Sequence, residues 1–282
     1  MKKHLLPVLL VACFGSGFSG VVQAQLCETP AEVITTLFPP RLGFPAVWDA
    51  TYGQRERMVQ LTASVPLASG TVLAAGRILD GTDYKPLETV LVELNRRGRA
   101  VREVSFPAKP AEAPVRLIPQ RDGFVMGADI RGGPRNKDRQ VRLSWYDASL
   151  SYRKQLILRD DDYDYTLDDL VPAAGGEEGF LAALRAVRRP GGETADRYGF
   201  LVRVDAGGDI LWKRSYRPGV ANAIRGVLPL ETAGYLATGQ IRSGGGGMAG
   251  WVLRLSAEGA ILWQEAYPRG ADAHLDYAAS DG

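Results

Sequence analysis

The sequence predicts an all-β fold assembled from repeated four-stranded antiparallel sheets, and three observations carry that prediction. A strand-and-turn pattern recurs about every fifty residues, glycine and proline number 33 and 17 in 282 residues, and 45% of the chain is hydrophobic. So much glycine and proline suits many short strands joined by tight turns. The apolar fraction is ample for a core and excludes a disordered or coiled-coil chain.

The recurring unit is clearest near the C-terminus. Gly199 to Trp212 reads Gly-Phe-Leu-Val-Arg-Val-Asp-Ala-Gly-Gly-Asp-Ile-Leu-Trp and returns 51 residues on as Gly250 to Trp263, with Tyr216 and Tyr267 each four residues beyond the tryptophan. A shorter copy runs from Val90 to Gly98 and ends at Phe106. A worn copy spans Leu143 to Leu158, with Leu150 where the turn glycine is expected. The turn anchors Asn95, Asp147, Asp205 and Ser256 stand 52, 58 and 51 residues apart. A second motif, an apolar residue and proline followed by glycine and a strand, alternates with the first. Its glycines Gly70, Gly123, Gly179 and Gly234 are 53, 56 and 55 apart. Two independent anchor sets share one period, the mark of a repeat architecture.

Four strands fit each period, at 224–229, 234–241, 250–255 and 261–267 in the last full copy. Trp251, Leu253 and Leu255 alternate with Val252 and Arg254, which places them on opposite faces of a strand. Ala257-Glu258-Gly259 suits a short hairpin with glycine at positive φ. Four antiparallel strands per unit, repeated around a circle, describe a β-propeller blade. The expected blades span 59–106, 115–158, 167–216 and 224–267. Trp48, Asp205, Gly208, Trp212, Gly259 and Trp263 are the expected structural residues, and each wedged tryptophan contributes about 2–3 kcal/mol.

The ends look like parts of one further blade. Residues 45–52 carry the tryptophan-tyrosine signature at Trp48 and Tyr52, and 274–282 resemble a first strand. The expectation is ring closure by the N-terminal strand, in a fragment of a larger ring. Ahead of it, residues 1–24 form an expected signal peptide, with Lys2 and Lys3, an apolar run from Leu5 to Ala12, and small residues at Val22 and Ala24, followed by a linker at 25–44. The mature protein would lie in the periplasm or be secreted. An alternative is lipidation at Cys13, in a lipobox-like Leu10-Val11-Ala12-Cys13. Cleavage after Ala24 leaves Cys27 alone, so no internal disulfide forms. It also takes the formal charge from +2 to zero, which gives no field to attract nucleic acid.

The Asp205, Gly208, Trp212 hairpin resembles a repeat of many exported bacterial β-propeller proteins. It is also similar to the tryptophan-docking motif of quinoprotein-like (PQQ-type) propellers, whose turn is one residue longer. The resemblance covers about residues 45–282. A quinoprotein dehydrogenase would bring a polar cofactor pocket, Ca²⁺ and, in many members, adjacent cysteines. Cys13 and Cys27 are not adjacent. The resemblance therefore implies the fold rather than the activity.

Few residues point to chemistry. Asp160, Asp162, Asp164 and Asp168 fall at positions 1, 3, 5 and 9 of an expected inter-blade loop, a spacing of hard oxygen ligands suited to Ca²⁺. Tyr165 stands where a sharp turn wants glycine, and Val171 where a bidentate glutamate is expected. His274 is the one histidine of the mature chain, and no nucleophile elbow, zinc-protease or phosphate-loop motif occurs. The loops at 80–83, 131–135, 188–192 and 243–247 would share one face with the inter-blade connections, where a rigid ring displays binding residues. The leading expectation is an exported binding or scaffold module for a protein, peptide or glycan. The alternatives are a propeller enzyme, quinoprotein-like or glycan-active, and a lipid-anchored outer-membrane assembly scaffold. No transmembrane segment is expected.

Overall fold

The computed structural model describes residues 53–54, 57–107, 112–132, 138–189, 197–242, 247–268 and 275. These form four antiparallel meanders. The first sheet holds β1 (Gly53–Gln54), β2 (Arg57–Pro66), β3 (Val72–Asp80), β4 (Pro86–Leu94) and β5 (Ala100–Pro107). The second holds β6 (Glu112–Gln120), β7 (Gly123–Gly132), β8 (Asp138–Asp147) and β9 (Tyr152–Leu158). The third holds β10 (Tyr163–Pro172), β11 (Phe180–Arg188), β12 (Arg197–Val204) and β13 (Ile210–Tyr216). The fourth holds β14 (Ala221–Pro229), β15 (Tyr235–Arg242), β16 (Met248–Leu255) and β17 (Ile261–Tyr267).

The sheets stack face to face as propeller blades, with apolar residues of alternate parity on facing strands. Phe180, Ala182, Leu184 and Val202 of the third sheet meet Val125, Val141 and Leu143 of the second. Leu181, Ala183 and Leu201, which point the other way, meet Tyr235, Ala237, Trp251 and Leu253 of the fourth. Phe124 and Met126 meet Leu73, Ala75 and Leu91 of the first.

Strands β2, β6, β10 and β14 of successive sheets are stapled to one another. Thr62 Oγ1 donates to the Pro114 carbonyl at 2.6 Å, and Asp169 joins Arg116 at 2.9 Å to the Val227 amide at 2.9 Å. Each of these strands carries a bulge at the matching place, leaving Thr62, Val115, Asp168 and Arg225 outside the regular pairing. A bulge bends its strand and re-aims one side chain. Here it turns Asp168 toward Arg225, 3.5 Å away.

The repeat tryptophans behave unequally. Trp212 is partly buried in the seam with the fourth sheet, and a Cβ on Gly259 would lie 2.7 Å from its ring. Gly259 also has φ 77°, so that hairpin tip excludes other residues twice over. Tyr216 completes the contact by donating to the Gly259 carbonyl at 2.7 Å. Trp263, expected to be wedged in the same way, is 49% exposed, and Tyr267 is 46% exposed. Among the described residues no hairpin of a further sheet stands over β17. Leu275 does repeat the packing of Ile224, since it lies against Gly250 as Ile224 lies against Gly199.

The worn copy keeps its turn. Leu150 takes φ 66° and donates its amide to Asp147, as Gly208 does to Asp205. Its side chain is buried against the first sheet, where Arg102 occupies the place of Trp212, so it fills space that the large ring fills elsewhere. Gly70 sits one residue early, and the Thr71 carbonyl accepts the turn bond that Gly179 and Gly234 accept in their sheets. Trp48, Tyr52, the leader, the lipobox and His274 lie outside the described residues.

Candidate functional site

The four aspartates of the acidic run do not converge. The segment enters strand at Tyr163, so the run is largely a strand and not the expected loop. Asp160 Oδ2 accepts from Lys213 at 2.7 Å and from the Tyr165 hydroxyl at 2.9 Å. Asp162 is exposed at the surface. Asp164 Oδ1 is held by the Arg189 guanidinium and by the Arg139 amide at 3.1 Å. Asp168 is paired with Arg185 at 3.3 Å and with Arg225. Among the described residues no group of three or more acidic, histidine or cysteine side chains is placed to hold a metal ion. Cations of the protein itself pair with Asp160, Asp164 and Asp168 Oδ1, while Asp162 pairs with none among the described residues and Asp168 Oδ2 is buried without a partner.

What the structure does assemble is a pair of cavities on the face carrying the β3–β4, β7–β8 and β11–β12 connections. One, of about 470 Å³, lies where the first, second and third sheets meet, and is lined by Arg77, Tyr84, Asp129, Arg131 and Arg139 among others. The other, of about 400 Å³, is lined by Arg139, Asp164, Thr166, Arg185, Val187 and Arg197. Arg139, at the start of β8, belongs to both. Both volumes fall in the range of small-ligand sites.

The electrostatics of these cavities favour an anion. The side chains of Arg131 and Arg139 make no hydrogen bond or ion pair among the described residues. The Nε atoms of Arg77 and Arg197 are buried without a partner. Glu112, beside the first cavity, is already committed to Arg142 and to Thr89. An unpaired buried donor costs about 1–3 kcal/mol, so an incoming acceptor would recover free energy there.

Asp129 lies on the wall of the first cavity and accepts the Leu167 amide at 2.7 Å. Burial pushes its carboxyl up to about 6; the Leu167 amide opposes that rise, Asp168 adds to it, and Arg185 and Arg139 oppose it. The folded value lies above the ordinary one of 3.8, so this group favours the folded state below 3.8 and loses that effect as pH rises through about 6. Asp129→Asn should therefore gain stability relative to wild type, by about 2–3 kcal/mol, between about pH 4 and about pH 7. Urea unfolding of both proteins at the two pH values measures this, and a constant difference would contradict it.

A third cavity, of about 710 Å³, is on the opposite, hairpin face. Two of its three cations are already engaged, and Arg121 is the third. Arg153 pairs with Asp147, and Lys154 binds the Gly207 carbonyl and lies 4.8 Å over the Trp145 ring.

No protein-family model matches the chain, and no curated protein matches it in sequence. Among the described residues no helix is long and apolar enough to cross a membrane.

Of the loops expected to bind, residues 133–135, 190–192 and 243–246 lie outside the described residues, and Arg77, Asp129 and Arg139 were not among the expected site residues. A signal was present in Arg131 and Arg135, which flank Gly132-Gly133-Pro134. The partner positions came from other sheets, and no local pattern names them.

Proposed function

We propose that the protein is an exported β-propeller module that binds a protein, peptide or glycan through the face bearing the β7–β8 and β11–β12 connections. The observation that carries this reading is the pair of cavities joined at Arg139, where Arg77, Arg131, Arg139 and Arg197 line the walls without an ion pair to a carboxylate among the described residues, beside Arg185, which is paired with Asp168. The Nε atoms of Arg77 and Arg197 are buried donors that an incoming acceptor would satisfy, while Arg131 and Arg139 are exposed and open to a ligand from solvent. Rigid stacked sheets beneath the cavities hold those groups in place, which lowers the ordering cost of binding.

Export rests on the leader pattern of residues 1–24, with the periplasm or the medium as destination. N-terminal sequencing of the protein recovered outside the cytoplasm should begin at Gln25.

The binding reading is tested with the mature chain on mixed glycan and peptide arrays at low and physiological salt. Saturable features are expected that vanish in Arg139→Glu and persist in Arg121→Glu, which lies on the hairpin face. Arrays without retained features, or features lost only in Arg121→Glu, overturn the assignment of the face.

A further inference from the structure

One residue beside the larger Arg139 cavity is held in a conformation that its side chain disfavours. Tyr84 has φ 57°, in the left-handed region, yet it is a bulky residue and 61% exposed. Such a backbone costs about 1–3 kcal/mol and persists only where neighbouring structure enforces it. The enforcement is visible. The Tyr84 amide donates to the Asp80 carbonyl at 3.0 Å, and the Asp80 amide donates to Lys85 at 2.9 Å. Asp80 Oδ1 accepts the Thr82 amide at 2.7 Å and also the Thr82 hydroxyl. This closed turn fixes the backbone of Tyr84, a residue that lines the cavity and stays largely exposed.

Below Tyr84 the cavity walls supply two further kinds of group. Arg77, Arg131 and Arg139 bring donors, one of them the buried and unpartnered Arg77 Nε. Asp129 brings a carboxyl that can accept a hydroxyl hydrogen bond. An exposed ring, guanidinium forks and a carboxyl are the groups that respectively stack on the C–H face of a sugar, clamp a carboxylate in bidentate fashion and bind ring hydroxyls. An acidic peptide would use the arginines but leave the exposed ring and Asp129 without a role. We infer that the cavity of about 470 Å³ bounded by Tyr84, Arg131, Arg139 and Asp129 binds a uronic acid unit of an anionic oligosaccharide. This inference rests on the reading that this face is the binding face.

Isothermal titration of the mature chain with trigalacturonate tests it, with fully methyl-esterified trigalacturonate and hexaglutamate as companions. Saturable binding to the free acid is expected, with binding to the ester at least about ten-fold weaker because charge-assisted hydrogen bonds to the guanidinium groups are lost. Arg139→Ala and Tyr84→Gly should each weaken it by about ten-fold or more while leaving the melting midpoint at or above that of wild type, since glycine relieves the strained φ. No saturable heat at millimolar trigalacturonate, equal binding of the ester, equal binding of hexaglutamate, or unchanged affinity in both variants each overturns the sugar assignment. Array features lost in Arg139→Glu that include no acidic glycan would overturn this inference and leave the binding face standing. Absence of all array features would remove both.

Discussion

Asp169→Ala should lower the unfolding free energy by about 2–4 kcal/mol, the cost of leaving a buried amide without its acceptor and a partly exposed guanidinium without its carboxylate. Asp169 is buried in β10 and binds three groups from three sheets' worth of chain. Its Oδ1 accepts Arg116 Nε of β6 and the adjacent Leu170 amide, each at 2.9 Å, and its Oδ2 accepts the Val227 amide of β14 at 2.9 Å. Alanine leaves the Val227 amide at a blade seam without its acceptor and takes away the carboxylate facing Arg116. The Val227 amide belongs to a buried residue, so water does not readily replace that bond, whereas the Arg116 side chain is 32% exposed and can turn to solvent. Asp169→Asn keeps one carbonyl oxygen and should cost less than alanine. Urea unfolding of the three proteins at neutral pH decides the matter. Losses below about 1 kcal/mol for alanine would mean that β6, β10 and β14 are held by packing alone.

That staple was not legible in the sequence, whereas the blade it serves was. Asp205 and Gly208, or Ser256 and Gly259, announce a hairpin locally, since the turn needs an acceptor and a left-handed residue four positions apart at most. Trp251, Leu253 and Leu255 announce a strand through their period of two. Asp169 acts on residues 53 and 58 positions away, and nothing within its own segment records them. The acidic run shows the opposite failure. The spacing of Asp160, Asp162, Asp164 and Asp168 drew attention to ligand geometry, while Tyr163, Tyr165 and Leu167 between them carried the alternation of a strand. The strand pattern decided the backbone, and Asp160, Asp164 and Asp168 took lysine and arginine partners from elsewhere in the same sheet. The Arg139 cavities belong to the same class as the staple. Each wall comes from a different sheet, so only the stacking brings the arginines together. Tyr84 escaped notice because tyrosine is a poor marker of the left-handed region, which the sequence signals through glycine or asparagine.

Two tryptophans of the fourth sheet should differ several-fold in their contribution to stability, although the repeat makes both look structural. Trp251, on β16, is 1% exposed, lies within the cluster shared with the third sheet, and donates its Nε1 to Gln264 at 3.2 Å. Its removal leaves a cavity lined by Leu253, Leu201 and Ile224, residues fixed by two sheets and unable to collapse into the space. Trp251→Ala should cost about 3–5 kcal/mol. Trp263 occupies the repeat position of Trp212 on β17, but nearly half of its surface meets solvent and no glycine hairpin covers it among the described residues. Truncation there creates a surface step rather than a cavity, so Trp263→Ala should cost about 1 kcal/mol or less. Chemical unfolding followed by far-ultraviolet circular dichroism, which does not depend on either indole, measures both. Equal losses of several kcal/mol would place a covering layer over β17 and show that Trp263 is wedged between blades as its repeat position suggests.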